Sequence, residues 1–155
     1  SEAGLCSEDL LTFHIRPVQQ AATAGAFAEI QGDGSVLTWG QANRGGDSSQ
    51  VQDELKNVQQ IQATRNAFAA LRSDGSVVTW GLLHSGGDSS LVQSQLKDVQ
   101  RLCSADNAFA ALLGDGSVVT WGLALYGGSC KDVQEQLKKV QQIEATEMAF
   151  AAPLG

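Results

Sequence analysis

Long apolar runs are missing from this sequence: Asp, Ser or Gln interrupts each hydrophobic segment well short of the roughly 20 residues that a membrane-spanning helix requires. Proline is nearly absent, with two residues against 17 glycines, which suits many tight turns rather than a disordered linker. Basic residues are few and scattered, 10 Lys and Arg against 17 Asp and Glu for a net charge of −7, so nucleic acid is not expected as a partner. Cysteine is sparse and odd in number. Cys6, Cys103 and Cys130 have no CxxC spacing, and the two histidines, His14 and His84, lie in unrelated contexts. Neither a disulfide framework nor a zinc site is expected, although one pair of the three could still be bridged. No charged-then-apolar leader opens the chain, which starts at Ser1, so a processed product or a piece of a longer polypeptide is expected.

What the sequence has in abundance is itself. Its 155 residues, 43% apolar, suffice for one core, and the three tryptophans, Trp39, Trp80 and Trp121, stand 41 residues apart. Residues 67–81, AFAALRSDGSVVTWG, return at 108–122 with changes only at Arg72/Leu113 and Ser73/Gly114. A looser copy, AFAEIQGDGSVLTWG, occupies 26–40, and the segment before it is one residue shorter. A last copy, ending AFAAPLG, stops before its DGS. The units run 18–57, 58–98, 99–139 and, in part, 140–155, after an N-terminal extension at 1–17.

Each unit is legible locally. Asp-Gly between β-prone runs predicts a hairpin, because Gly accepts a positive φ without cost. Strand alternation sends Val77 and Thr79 to one face and Val78 and Trp80 to the other. The Ala-rich partner strand leaves room for a neighbouring sheet to come close. Val51, Leu55 and Val58 recur at i, i+4 and i+7, as do Val92, Leu96 and Val99, and Val133, Leu137 and Val140, which predicts an apolar stripe on a short helix. Ser49 with Gln52, and Ser90 with Gln93, fit a capping box, a task Ser129 and Asp132 would perform in the third unit. One such unit cannot bury its own apolar face, so units must stack.

The string Val58-x-x-Ile61-x-Ala63-Thr64-x-x-Ala67-Phe68-Ala69-Ala70-Leu71-x-x-Asp74-Gly75-x-Val77-Val78-x-Trp80-Gly81 resembles the repeat of the regulator of chromosome condensation family. Its 41-residue period is closer to the three-stranded blades of β-lactamase-inhibitor protein II. The resemblance covers residues 18–152. It implies a mainly β repeat protein of propeller-like blades, three complete units and a truncated fourth, with a short helix per repeat; a β-trefoil is the alternative fold. The spelling GGDSSxVQxxLxxVQxIxAT also resembles repeats of photosynthetic dinoflagellate proteins. Family repeats commonly place Gly-x-x-His before the middle strand, where this chain has no histidine, and family rings hold about seven blades. The founding member's exchange activity is therefore not expected here. Closure could come from the N-terminal segment LTFHIRP, residues 11–17, pairing with the last unit, from self-assembly, or from a partner; Pro153 removes an amide where a strand would continue.

The candidate sites weigh towards structure. The tryptophans read as hairpin packing rather than sugar platforms. Gly45-Gly46-Asp47 and Gly86-Gly87-Asp88 read as helix starts rather than phosphate cradles, since an Asp sits in the mouth and no Lys follows. The lone Asp of each DGS lacks the spaced oxygen ligands of a calcium loop. No nucleophile–base pair or paired carboxylates accompany His14 or His84, so no catalytic residue, cofactor or metal is expected. Variation concentrates in the loops after each Trp-Gly, which read QANR, LLHS and LALY. There Leu82, Leu83, Leu123, Leu125 and Tyr126, with His84 and Arg44, form a candidate contact patch for a protein partner.

The expected function is a non-catalytic protein–protein interaction module, a small accessory subunit docking on a larger assembly. The algal resemblance implies a photosystem as host and a plastid location at the periphery of the thylakoid membrane. A carbohydrate-binding lectin-like protein and a proteinaceous enzyme inhibitor are the alternatives.

Overall fold

The computed structural model describes residues 19–123 and two further short strands, Glu144–Ala145 and Phe150–Ala151. The proposed closing strand within 1–17, the third-unit helix start at Ser129 and Asp132, and Pro153 lie outside the described residues.

Three antiparallel three-stranded sheets follow one another along the chain. Blade 1 comprises β1 (Gln20–Ala22), β2 (Ala26–Ile30) and β3 (Val36–Gly40); blade 2 comprises β4 (Val58–Ala63), β5 (Ala67–Arg72) and β6 (Val77–Gly81); blade 3 comprises β7 (Val99–Ser104), β8 (Ala108–Leu113) and β9 (Val118–Gly122). In the fourth unit β10 (Glu144–Ala145) pairs with β11 (Phe150–Ala151). Strand order within each blade is sequential. Because each unit forms its own sheet and the sheets pack face to face, the fold is a run of propeller-type blades and the β-trefoil alternative is excluded.

The DGS motif makes the hairpin tip. Gly75 adopts φ +85, its amide bonds to the Arg72 carbonyl at 3.0 Å, and Asp74 Oδ1 accepts from both the amide and the hydroxyl of Ser76 at 3.0 and 2.6 Å. Asp33 with Ser35 and Asp115 with Ser117 repeat the arrangement. These donors, the hydroxyl first and the amide second, hold all three carboxyls below the ordinary Asp range.

Alternation then divides each sheet into two faces. Phe68, Ala70, Val78 and Trp80 of blade 2 pack on Ala26, Ala28, Ile30, Val36 and Leu55 of unit 1. The opposite face of blade 2, with Ala67, Ala69, Leu71 and Val77, receives Phe109, Ala111, Val119 and Trp121 of blade 3. Alanine on one side of the interface is what admits the large ring pair on the other, so the interior is shared between neighbours rather than owned by a blade. Backbone bonds clamp the stack at both ends of the strands: the Val58 amide to the Gly34 carbonyl at 2.9 Å and the Val99 amide to that of Gly75 at 3.0 Å at one end, the Ala24 amide to the Arg65 carbonyl at 2.8 Å at the other.

The expected amphipathic helix is shorter than the apolar spacing implies. Among the described residues only single 3-10 turns form, at Gln52–Glu54 and Gln93–Gln95, and a second pair at Ala42–Arg44 and Leu83–Ser85. Leu55 and Leu96 end these turns instead of continuing them, and Asn57 and Asp98 at φ +56 and +55 reverse the chain so that Val58 and Val99 start strands. The stripe is therefore a burial pattern without being a helix face. The capping box is also corrected. No side chain caps either turn; Ser48, one residue earlier than expected, donates its hydroxyl to Gln52 Oε1 at 2.8 Å, and Gln52 Nε2 donates to the Val36 carbonyl at 3.0 Å. Ser89, Gln93 and Val77 repeat the bridge in unit 2. The glutamine thus ties the loop to its own sheet.

Candidate docking surface

The loop after Trp80-Gly81 is held against the following blade. Thr64 Oγ1 donates to the Ser85 carbonyl at 2.8 Å, and the buried Ser85 hydroxyl donates to Asn107 Oδ1 of unit 3 at 2.7 Å. Backbone bonds from Leu82 to the Asn66 carbonyl and from Leu123 to that of Asn107, both 2.9 Å, fix the two loops at equivalent points. The turn Leu83–Ser85 lies against β9, which leads into Leu123.

On these braced loops Leu82, Leu83 and Leu123 are exposed, Leu83 at 61%. They do not tuck back over the blade cores, and the structure brings the turn that contains Leu83 beside the strand that leads into Leu123. His84 is also exposed, and its ring makes no hydrogen bond or ion pair among the described residues. Arg44 is half-buried in the corresponding turn of unit 1, its carbonyl accepting from Thr23 Oγ1 at 2.9 Å and its side chain lying beside Gly25. Leu125 and Tyr126 fall outside the described residues. In unit 1 the positions of Leu82 and Leu83 hold Gln41 and Ala42, so the apolar character is confined to the later units.

Two features escape a sequence reading. Leu91 is 95% exposed at a position where unit 1 has Gln50, and that mismatch between copies is the only signal it leaves. Trp39 is exposed, whereas Trp80 and Trp121 are buried as expected of hairpin packing. Its motif is unchanged; what differs is that no described blade lies in front of it.

An open groove of about 620 Å³ is lined by Gln19, Gln20, Gln59, Gln60, Gln62 and Gln100 on the first strands of the blades. Gln60 crosses between blades, its amide reaching both the carbonyl and the N–H of Leu102 at 3.4 Å. Amides can donate and accept hydrogen bonds there but supply no acid, base or nucleophile. Among the described residues no group of three or more His, Cys, Asp or Glu gathers at one point, and no helix is long and apolar enough to cross a membrane. Cys103 is half-buried, and burial raises its pKa against the opposing charge of Arg101; Cys6 and Cys130 lie outside the described residues.

No protein-family model and no curated protein matches the sequence. Solved structures do. Yeast RCC1 (Prp20), in its complex with Kap60, superposes with a TM-score of 0.57 at 21% identity over 83% of this chain and 37% of its own. The ectodomain of the Physcomitrella patens receptor kinase CR4 gives 0.52 at 14% identity, covering 84% of this chain and 34% of its own. Prp20p from Saccharomyces cerevisiae, studied with its binding to Gsp1p and histones, gives 0.51 at 19% identity over 74% of this chain and 33% of its own. The chain thus spans about a third of the length of these structures. At such identities the likeness establishes the fold alone: a run of propeller blades like those of these structures.

Proposed function

We propose that the chain is a non-catalytic docking module, a small accessory subunit that joins a larger assembly through the loop patch of Leu82, Leu83 and Leu123, with His84 and Arg44 at its margin and Leu125 and Tyr126 extending it in sequence. One observation carries this reading: exposed Leu82 and Leu83 stand on a turn held by the Ser85–Asn107 and Thr64–Ser85 bonds, and exposed Leu123 is held by its backbone bond to Asn107, so the backbone that presents the apolar surface needs little further ordering on docking. Two proteins that contain this fold bind other proteins, which supports the reading: yeast RCC1 (Prp20) is seen bound to Kap60, and Prp20p binds Gsp1p and histones. The host we propose is a photosystem, with the chain peripheral to the thylakoid membrane of a plastid; this rests on the likeness of the repeat spelling to photosynthetic dinoflagellate proteins.

The test is the native mass and subunit composition of the particle that holds the chain in its source. The chain should migrate in fixed ratio with larger photosynthetic subunits, and a Leu83→Asp/Leu123→Asp chain should fold but fail to join. A monomer that joins nothing would overturn the reading. The lectin alternative has one observation in its favour, the exposed ring of Trp39.

A further inference from the structure

The front face of blade 1 carries the ring pair that blades 2 and 3 bury. Phe27 and Trp39 stack with centroids 5.6 Å apart, against 5.3 Å for Phe68 and Trp80 and 5.4 Å for Phe109 and Trp121. In the covered blades the preceding loop caps the pair. A glycine in the left-handed region, Gly45 or Gly86, lies so close to Phe68 or Phe109 that a Cβ would come within 2.4 Å of the ring, and its carbonyl accepts from the indole N–H of Trp80 at 3.0 Å or Trp121 at 3.1 Å. On blade 1 Phe27, Leu37 and Trp39 are exposed by 47, 54 and 43%, and the Trp39 N–H has no acceptor among the described residues.

This face is not simply an uncovered copy. Gln20 pairs with Glu29 as Ile61 pairs with Ala70 and Leu102 with Ala111, so two apolar contact positions of the other blades have become polar here. Gln20 and Gln31 donate to the two Glu29 oxygens at 2.6 and 2.8 Å. Those bonds, Gln20 first, hold the carboxyl below its ordinary range and keep it charged. A second copy seating its Ala-Leu-Val blade face here would press that charge onto an apolar surface without a counter-ion, which is costly. The occupant must therefore resemble a blade loop over the rings and differ from it beside Glu29.

We propose that the front face of blade 1 is a second docking surface, taking a segment of a different protein that lays a glycine turn over Phe27 and Trp39, gives a backbone carbonyl to the Trp39 N–H, and sets a Lys or Arg against Glu29. The surface is continuous in kind with the blade–blade interface already in the molecule, and the acidic anchor selects a basic partner. It is independent of the loop patch, so either can fail alone.

Hydroxyl-radical footprinting of the chain, free and in the assembly isolated from its source, tests this. Phe27, Leu37 and Trp39 should be oxidised in the free chain and protected at least fivefold in the assembly. A Glu29→Lys chain, with wild-type thermal unfolding, should compete with wild type for incorporation at least tenfold less well, and Glu29→Gln should fall between. Protection already present in the free chain would assign the face to the chain's own flanking segment, or to a second copy if it grows with concentration. Protection of the free chain by millimolar cellohexaose would make it a sugar platform. Either result, or equal oxidation in both states, or undiminished competition by Glu29→Lys, overturns the proposal.

Discussion

Blade 1 and blade 2 contain the same hairpin: the same DGS tip, the same cross-strand pairing of Phe with Trp, and ring stacking within 0.3 Å of one another. In blade 2 the pair is buried beneath Gly45; in blade 1 Phe27 and Trp39 are each nearly half exposed. The motif therefore builds its geometry alone, and its energetic worth comes from whichever surface faces it. Features internal to a unit should matter equally in units 1 and 2, while features of the front face should not.

The widest gap is expected at the phenylalanines. Phe68→Ala or Phe109→Ala should lower the unfolding free energy by about 3–5 kcal/mol, from lost transfer and an unfilled cavity, whereas Phe27→Ala should lose under about 1 kcal/mol. Denaturant midpoints at constant m-value measure this. Next come the glycines. Gly45→Ala and Gly86→Ala combine left-handed backbone strain with collision against a phenyl ring and should cost about 2–4 kcal/mol. Gly32→Ala, with nothing within 4 Å of its added carbon, should leave the midpoint unchanged or slightly raised.

The internal bridges should show no such asymmetry. Gln52→Ala and Gln93→Ala each remove the side-chain donor to a strand carbonyl and leave a serine hydroxyl with only its threonine neighbour, and each should cost about 1–2 kcal/mol by the same denaturation assay. The smallest effect is that of pH. Asp33, Asp74 and Asp115 have folded pKa values below their unfolded ones, so their contribution is complete above the unfolded Asp pKa, about 4, and is lost as pH falls through the lower folded values. Thermal midpoints should be flat above about pH 5 and decline below about pH 4, and Asp33→Asn and Asp74→Asn should flatten the decline alike.

Much of the fold was legible because it is local. Asp-Gly, strand alternation and the 41-residue period each report on residues within one unit, and together they place the hairpins, the two-faced sheets and the Ala-to-ring complementarity of the stack. The helix was misjudged because Leu55 and Val58 keep helical spacing while Asn57, at a positive φ, turns the chain between them. Ser48 rather than Ser49 meets Gln52 for the same reason: the residues before the turn are not helical, so cap spacing does not apply. The exposed leucines of the unit-2 and unit-3 loops were found from differences between copies. The open face of blade 1 was not, because its rings are spelled as in the buried copies. Its signal lay in the missing residue before the first copy, which puts Gln20 where Ile61 would be, and in Glu29 for Ala70.

The most direct test of the blade stack with one uncovered face is acrylamide quenching of tryptophan emission in the free chain. Trp39→Phe should remove nearly all of the readily quenched emission, leaving two tryptophans that acrylamide scarcely reaches, with thermal stability unchanged. If readily quenched emission survives in that variant, or if all three tryptophans are equally shielded in the wild-type chain, the sheets do not stack as successive neighbours with blade 1 at an open end.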